Sequence, residues 1–134
     1  MRELKFRAWD DETKKMYSPE DLEQPDVKDD TKKTIYCYLS YGVLQIYNFR
    51  DKAPIQFVPM QSTGWCDKNH TEIYEGDIIQ FENTIYQIIW SEEISGFILL
   101  STDGVIMMGG DYIADNIEII GNIYENRELV NYKY

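Results

Sequence analysis

Apolar and polar positions alternate with a period of two along most of this chain, the pattern of half-buried strands. Leu4, Phe6 and Ala8 alternate with Lys5, Arg7 and Trp9 and predict an opening strand. Asp10-Asp11-Glu12-Thr13 is a turn signal, and Lys15-Met16-Tyr17 a short return strand. Ser18-Pro19-Glu20-Asp21 marks a helix start. Serine caps, proline is preset for the first helical position, and acids suit the positive end of the dipole. Pro25 keeps that helix short. Residues 26–33 are charged and poor in apolar side chains, which predicts an exposed loop.

Residues 34–40 are β-branched and aromatic, Tyr41-Gly42 makes a turn, and Val43 to Phe49 form the partner strand. This hairpin carries Tyr36, Tyr38, Tyr41 and Tyr47, and its alternation places Cys37 in the core. Ala53-Pro54 breaks the pattern. Ile55 to Met60 is again extended, and Pro59 restricts it to an edge or an end. The later half predicts strands over 77–81, 85–90, 97–101, 105–108 and 116–124, the last interrupted by Gly121. Turns fall at Glu82-Asn83 and at Asp103-Gly104, the strongest tight-turn signal in the chain. Gly109-Gly110 breaks a strand, residues 111–115 form a short helical turn, and Asn126 caps a last one through Leu129. The expected fold is mainly β. An N-terminal β region over 1–59, with its hairpin, packs on a small SH3-like C-terminal barrel over 60–134, with few short helices.

At 134 residues the chain is one domain or two small ones, and 43% hydrophobic content is that of a globular protein rather than a disordered one. The opening segment has no apolar core of a secretory signal, and its longest apolar runs are too short to span a bilayer. A cytoplasmic location is the expectation. Cys37 and Cys66 lack CxxC spacing and are expected as reduced thiols, with Cys66 exposed in a turn.

Charge narrows the partners. The net charge is −11, and residues 34–134 carry 14 acidic against 5 basic side chains. Such a body repels phosphate backbones, so direct nucleic-acid binding is disfavoured. The same acidity suits solubility, contact with a basic protein, or imitation of nucleic acid.

Candidate chemistry is sparse. One histidine, His70, removes mechanisms that need two imidazoles and His-rich metal sites. No nucleophile elbow, phosphate loop, dinucleotide fingerprint or EF-hand loop occurs. Glu75 and Asp77 share a face if residues 74–80 are extended, and paired carboxylates hold a divalent cation or share a proton. Gly76 between them points instead to a bend and to solvated charges. Trp65, beside polar turn residues, is the best candidate for an exposed aromatic, while Trp90 is assigned to the core. Trp65, Asp67, His70, Tyr36, Tyr38 and Tyr41 are the candidate binding residues; no cofactor is expected.

Three stretches resemble a known family: RELKFRAWD over 2–10, MQSTGWCDKNHTEIYEGDI over 60–78, and IEIIGNIYENREL over 117–129. Together they are similar to the YopX family of phage and prophage proteins. That family usually has Leu at position 65, Gly at 70 and Pro at 127, where this chain has Trp65, His70 and Arg127. The resemblance implies a phage or prophage origin and brings no catalytic residues. Its matching middle residues, among them Thr63, Gly64, Asp67 and Gly76, are turn and strand-entry types. The leading expectation is therefore a non-enzymatic accessory protein that contacts itself or a host or phage protein. An acidic nucleic-acid mimic is the alternative, and a metal-assisted enzyme using Glu75 and Asp77 a weaker one.

Overall fold

The computed structural model describes residues 3–23, 33–50, 53–107 and 115–130. They are mainly β. The chain divides into two compact units, Leu4–Gln61 and Met1–Glu3 with Ser62–Tyr134. The loop expected over 26–33 lies, Lys33 apart, outside the described residues. So do the break at Gly109-Gly110 and most of the helical turn after it.

In the first unit, β1 (Phe6–Asp10) pairs antiparallel with β2 (Lys15–Tyr17) on one side and with the start of β6 (Val58–Cys66) on the other. The β1–β2 turn forms where expected. The Asp10 carboxylate accepts from the backbone N–H of Glu12 at 3.0 Å and the Thr13 hydroxyl at 2.6 Å. Helix α1 (Pro19–Glu23) opens with a reciprocal cap. The Asp21 N–H donates to Ser18 Oγ at 3.1 Å, and the Ser18 N–H to the Asp21 carboxylate at 3.0 Å. A three-stranded meander follows: β3 (Ile35–Ser40), β4 (Val43–Arg50) and β5 (Ala53–Gln56). Ala8, Leu22, Ile35, Ile46 and Phe57 form the core of this unit, with the Tyr17 ring tilted against Phe57 at 4.8 Å.

Three expectations for this unit need correction. Leu4 precedes β1 and is 69% exposed, whereas Trp9, counted on the polar side, is 2% exposed. Ala8, Trp9 and Asp10 are all buried, so both faces of β1 are covered at its end and the alternation gives way there. Pro54 does not break the chain; it sits within β5, whose position at the sheet edge leaves its missing N–H without consequence. Cys37 is exposed rather than core. Its side chain shares the inward face with Ile35 and Ile46, but β3 is an edge strand and the core does not extend over this position.

In the second unit, the end of β6 pairs with β7 (Glu72–Tyr74). Then β8 (Asp77–Phe81), β9 (Thr84–Ser91), β10 (Gly96–Ser101) and β11 (Gly104–Met107) form an antiparallel meander, and β12 (Glu118–Asn122) returns beside β8. The strand order is β11-β10-β9-β8-β12 in a curled half-barrel sheet. Among the described residues no pairing joins β11 to β12. Ile73, Ile79, Phe81, Tyr86, Ile88, Leu99 and Ile117 make its core. Glu82 and Asn83, with φ of 49° and 66°, form the mirror-image two-residue turn that suits the twist of a hairpin. The next tight turn is displaced by one residue from its signal. Ser101 pairs with Gly104, so Thr102 and Asp103 are the loop. The Ser101 hydroxyl accepts the Asp103 N–H at 3.2 Å, doing locally what an Asp-Gly pair does elsewhere.

Trp90, assigned to the core, is 40% exposed; it stands edge-on to Phe97 at 5.1 Å near the open end of the sheet. Gly121 interrupts β12 as expected, at a register shift. Asn126 precedes a 3-10 turn over Arg127–Leu129, but its side chain makes no cap. It turns back and accepts the Asn122 N–H at 3.2 Å. Among the described residues no helix is long and apolar enough to cross a membrane.

Candidate functional site: an aromatic sheet face and an ordered turn segment

The β3–β4 hairpin closes through Tyr41 and Gly42, with φ of 50° and 78°, again a two-residue mirror-image turn. That turn fixes the register: Ser40 opposes Val43, and Tyr36 opposes Tyr47. Period two then puts Tyr36 and Tyr38 on the same face as Tyr47 and Phe49. The rings touch in series. Tyr36 meets Phe49 edge-on at 5.6 Å, Tyr38 stacks over Tyr47 at 6.0 Å, and Tyr47 lies 6.3 Å from Phe49. Tyr36, Tyr38 and Phe49 are exposed, and Tyr41 is fully so at the hairpin tip. Lys33 lies over the Tyr36 ring at 5.6 Å, and its carbonyl accepts the Tyr36 hydroxyl at 3.1 Å. Lys33, Tyr36, Tyr38 and Phe49 border a shallow depression of about 590 Å³. The face extends to β5 through a Gln56–Gln45 amide hydrogen bond of 3.0 Å. Phe49 was not singled out from the sequence, although a two-residue turn at 41–42 already implies its place beside Tyr36.

The segment from Ser62 to Asp77 is held by its own polar side chains. Ser62 donates to Glu72 at 2.8 Å, and Tyr74 donates to the same carboxylate at 3.0 Å. The buried Thr63 hydroxyl donates to the Ile73 carbonyl at 2.8 Å and accepts the Trp65 N–H at 3.1 Å. Asp67, a candidate for binding, is buried. One carboxylate oxygen accepts the N–H of Asn69 and of Thr71, each at 2.9 Å, and the other accepts the N–H of Ile119 at 3.1 Å. Trp65, expected to be exposed, is half-buried and packs against the core of its unit. His70 is exposed on the turn, with φ of 64°.

Glu75 and Asp77 do not form a carboxylate pair on one strand. Glu75 and Gly76 make the turn between β7 and β8, with Gly76 at φ of 89°. Asp77 is 1% exposed and accepts the Tyr74 N–H at 2.7 Å across that turn. Among the described residues no three potential metal-ligating side chains converge.

Three groups have displaced pKa values. The Lys14 ammonium, donating to the exposed Asp11 carboxylate at 2.7 Å, holds it below its usual value, with help from the Trp9 indole. The Ser18 backbone N–H lowers Asp21 against a small opposing effect of burial. Partial cover of its sulfur, and then Glu23, push the Cys37 thiol up although the residue as a whole is exposed, which lowers its reactivity.

The family model described as YopX protein matches residues 5–131. Two solved structures are similar over their whole lengths. Protein EF1440 from Enterococcus faecalis is 26% identical, covering 98% of this chain and 100% of that one, with a TM-score of 0.60. Protein yopX from Bacillus subtilis is 18% identical, covering 100% of both chains, with a TM-score of 0.57. No curated protein matches this chain.

Proposed function

The chain belongs to the YopX family, and from that premise we propose that it is a non-enzymatic accessory protein of phage or prophage origin that acts by protein–protein contact. The observation that carries this reading is the set of exposed rings of Tyr36, Tyr38 and Phe49 on one face of the hairpin, joined in series through Tyr47. Rings fixed by cross-strand contacts lose little freedom on binding, and tyrosine offers apolar area with a polar tip. Aromatic anchors of this kind dominate binding energy at protein interfaces. A second copy of the chain is the first partner to test, because β3 lies at a sheet edge and edges invite pairing. The nucleic-acid-mimic reading is less favoured. The exposed acids of the meander sit in turns at both of its ends, at Glu82 and Asp103 on one side and Glu92 and Glu93 on the other, rather than in one row. The metal-assisted reading is less favoured too, because Asp77 is buried and accepts the Tyr74 N–H while Glu75 lies in the turn.

The test is sedimentation equilibrium and partner capture with the wild type and Tyr36→Ser/Tyr38→Ser. Exposed cross-strand pairs contribute about 0.2–1 kcal/mol each, so the variant stays folded by circular dichroism. Loss of self-association, or of a partner crosslinked through position 38, supports the proposal. A variant that associates and captures as the wild type does refutes it.

A further inference from the structure

A second surface lies in the other unit and is independent of the aromatic hairpin. The turn at Glu75, the loop between β9 and β10, and strands β10 and β11 border an open groove of about 1000 Å³. Its floor is apolar, from Ile98 and Leu100. Its walls include Ile94 and Val105, which are 47% and 55% exposed, and the end of β9 at Trp90 and Ser91, the Trp90 ring itself sharing the other face with Phe97. Its acidic members are Glu75, Glu92 and Glu93, and among the described residues no lysine or arginine lines it.

We propose that this groove docks a basic amphipathic segment of a protein partner. Its apolar side chains would enter against Ile94, Leu100 and Val105, and its lysines or arginines would lie along Glu92 and Glu93. Charge complementarity selects this occupant. Residues 62–134 carry 13 acidic and 3 basic side chains, a net of −10, so almost all of the charge of the chain belongs to this unit. A field of that sign draws a basic segment in and repels an acidic or phosphorylated one. A metal ion or polyamine would satisfy the carboxylates but would leave the three apolar side chains in water. An amphipathic peptide satisfies both.

The experiment is fluorescence anisotropy with a labelled peptide of alternating lysine and leucine, at low and at physiological salt. A lysine–serine peptide and a glutamate–leucine peptide are the comparisons. The lysine–leucine peptide is expected to bind one to one, about tenfold tighter than the lysine–serine peptide, and the glutamate–leucine peptide not at all. Glu92→Gln/Glu93→Gln is expected to weaken binding about tenfold at low salt and less at high salt, as screening predicts. Val105→Ser weakens it at both. Ile94→Ser, in an exposed loop, repeats that apolar test should Val105→Ser misfold. Asp103→Asn/Glu128→Gln removes equal charge elsewhere and is expected to change affinity less than twofold. Equal binding of the lysine–serine peptide, or equal weakening by the two charge-removing variants, would show unspecific attraction and overturn the proposal. No binding at low salt would also overturn it.

Discussion

Replacing Asp67 by alanine separates an architectural role from a binding one. The carboxylate accepts three backbone N–H groups, and the bond to Ile119 joins positions 52 residues apart. Hydrogen bonds to a charged group contribute roughly 1.5–3 kcal/mol each. Asn69 and Thr71 are exposed, so water recovers most of their share. The Ile119 N–H lies in a half-buried strand and recovers less. The net loss is about 3 kcal/mol. With a urea slope of about 1.5–2 kcal/mol/M, the midpoint falls by about 1.5–2 M. Asn keeps the shape but sets its NH₂ against a backbone N–H on one side, so Asp67→Asn recovers only part of the loss. The assay is urea unfolding followed by tryptophan fluorescence and far-UV circular dichroism, with the transition of the C-terminal unit as the readout. A midpoint shift below about 0.3 M for Asp67→Ala would refute the reasoning and return Asp67 to the list of binding residues.

Three further outcomes are expected. A Cβ at Gly121 would lie 2.5 Å from Asn126 Oδ1. Gly121→Ala should therefore cost about 1–3 kcal/mol, and less in an Asn126→Ala background; additive losses in the double-mutant cycle would show that the contact does not matter. His70 holds a left-handed φ of 64°, so His70→Gly should stabilise the turn by up to about 1 kcal/mol in thermal unfolding, and a loss would place the side chain in a contact of its own. The folded Asp21 carboxyl lies below its ordinary value of 3.8, so its contribution is complete above that value and is lost as pH falls through the lowered folded value. Asp21→Asn should thus be less stable than the wild type at neutral pH and equal to it in strong acid; a difference unchanged by pH would rule the cap out as its source.

Much of the architecture was legible because its signals are local. The Ser18–Asp21 cap, the Asp10 turn, the mirror-image turns at 41–42 and 82–83 and the strands around them follow from neighbouring residues alone. Assignments failed where the answer depends on a distant element. Trp9 is buried because both faces of β1 are covered at its end. Cys37 is exposed because the core that covers Ile35 and Ile46 stops short of it. Trp65 and Trp90 exchange their expected places, since Trp65 lies within β6 against the core of its unit and Trp90 near the end of β9. Asn126 is at its expected position, but its amide answers to Gly121 and Asn122 rather than to the helical turn.

The candidate site divides along the same line. The sequence by itself determined the family resemblance, the mainly β character and the aromatic hairpin, because strand period and turn chemistry act over a few residues. Tertiary structure alone decided the long-range roles of two carboxylates. Asp67 reaches Ile119, and Glu75 borders a groove with Glu92 and Glu93. Asp10, Asp21 and Asp77 take their partners from neighbours in the chain, whereas the donors and water around Asp67 and Glu75 are set by which strands meet.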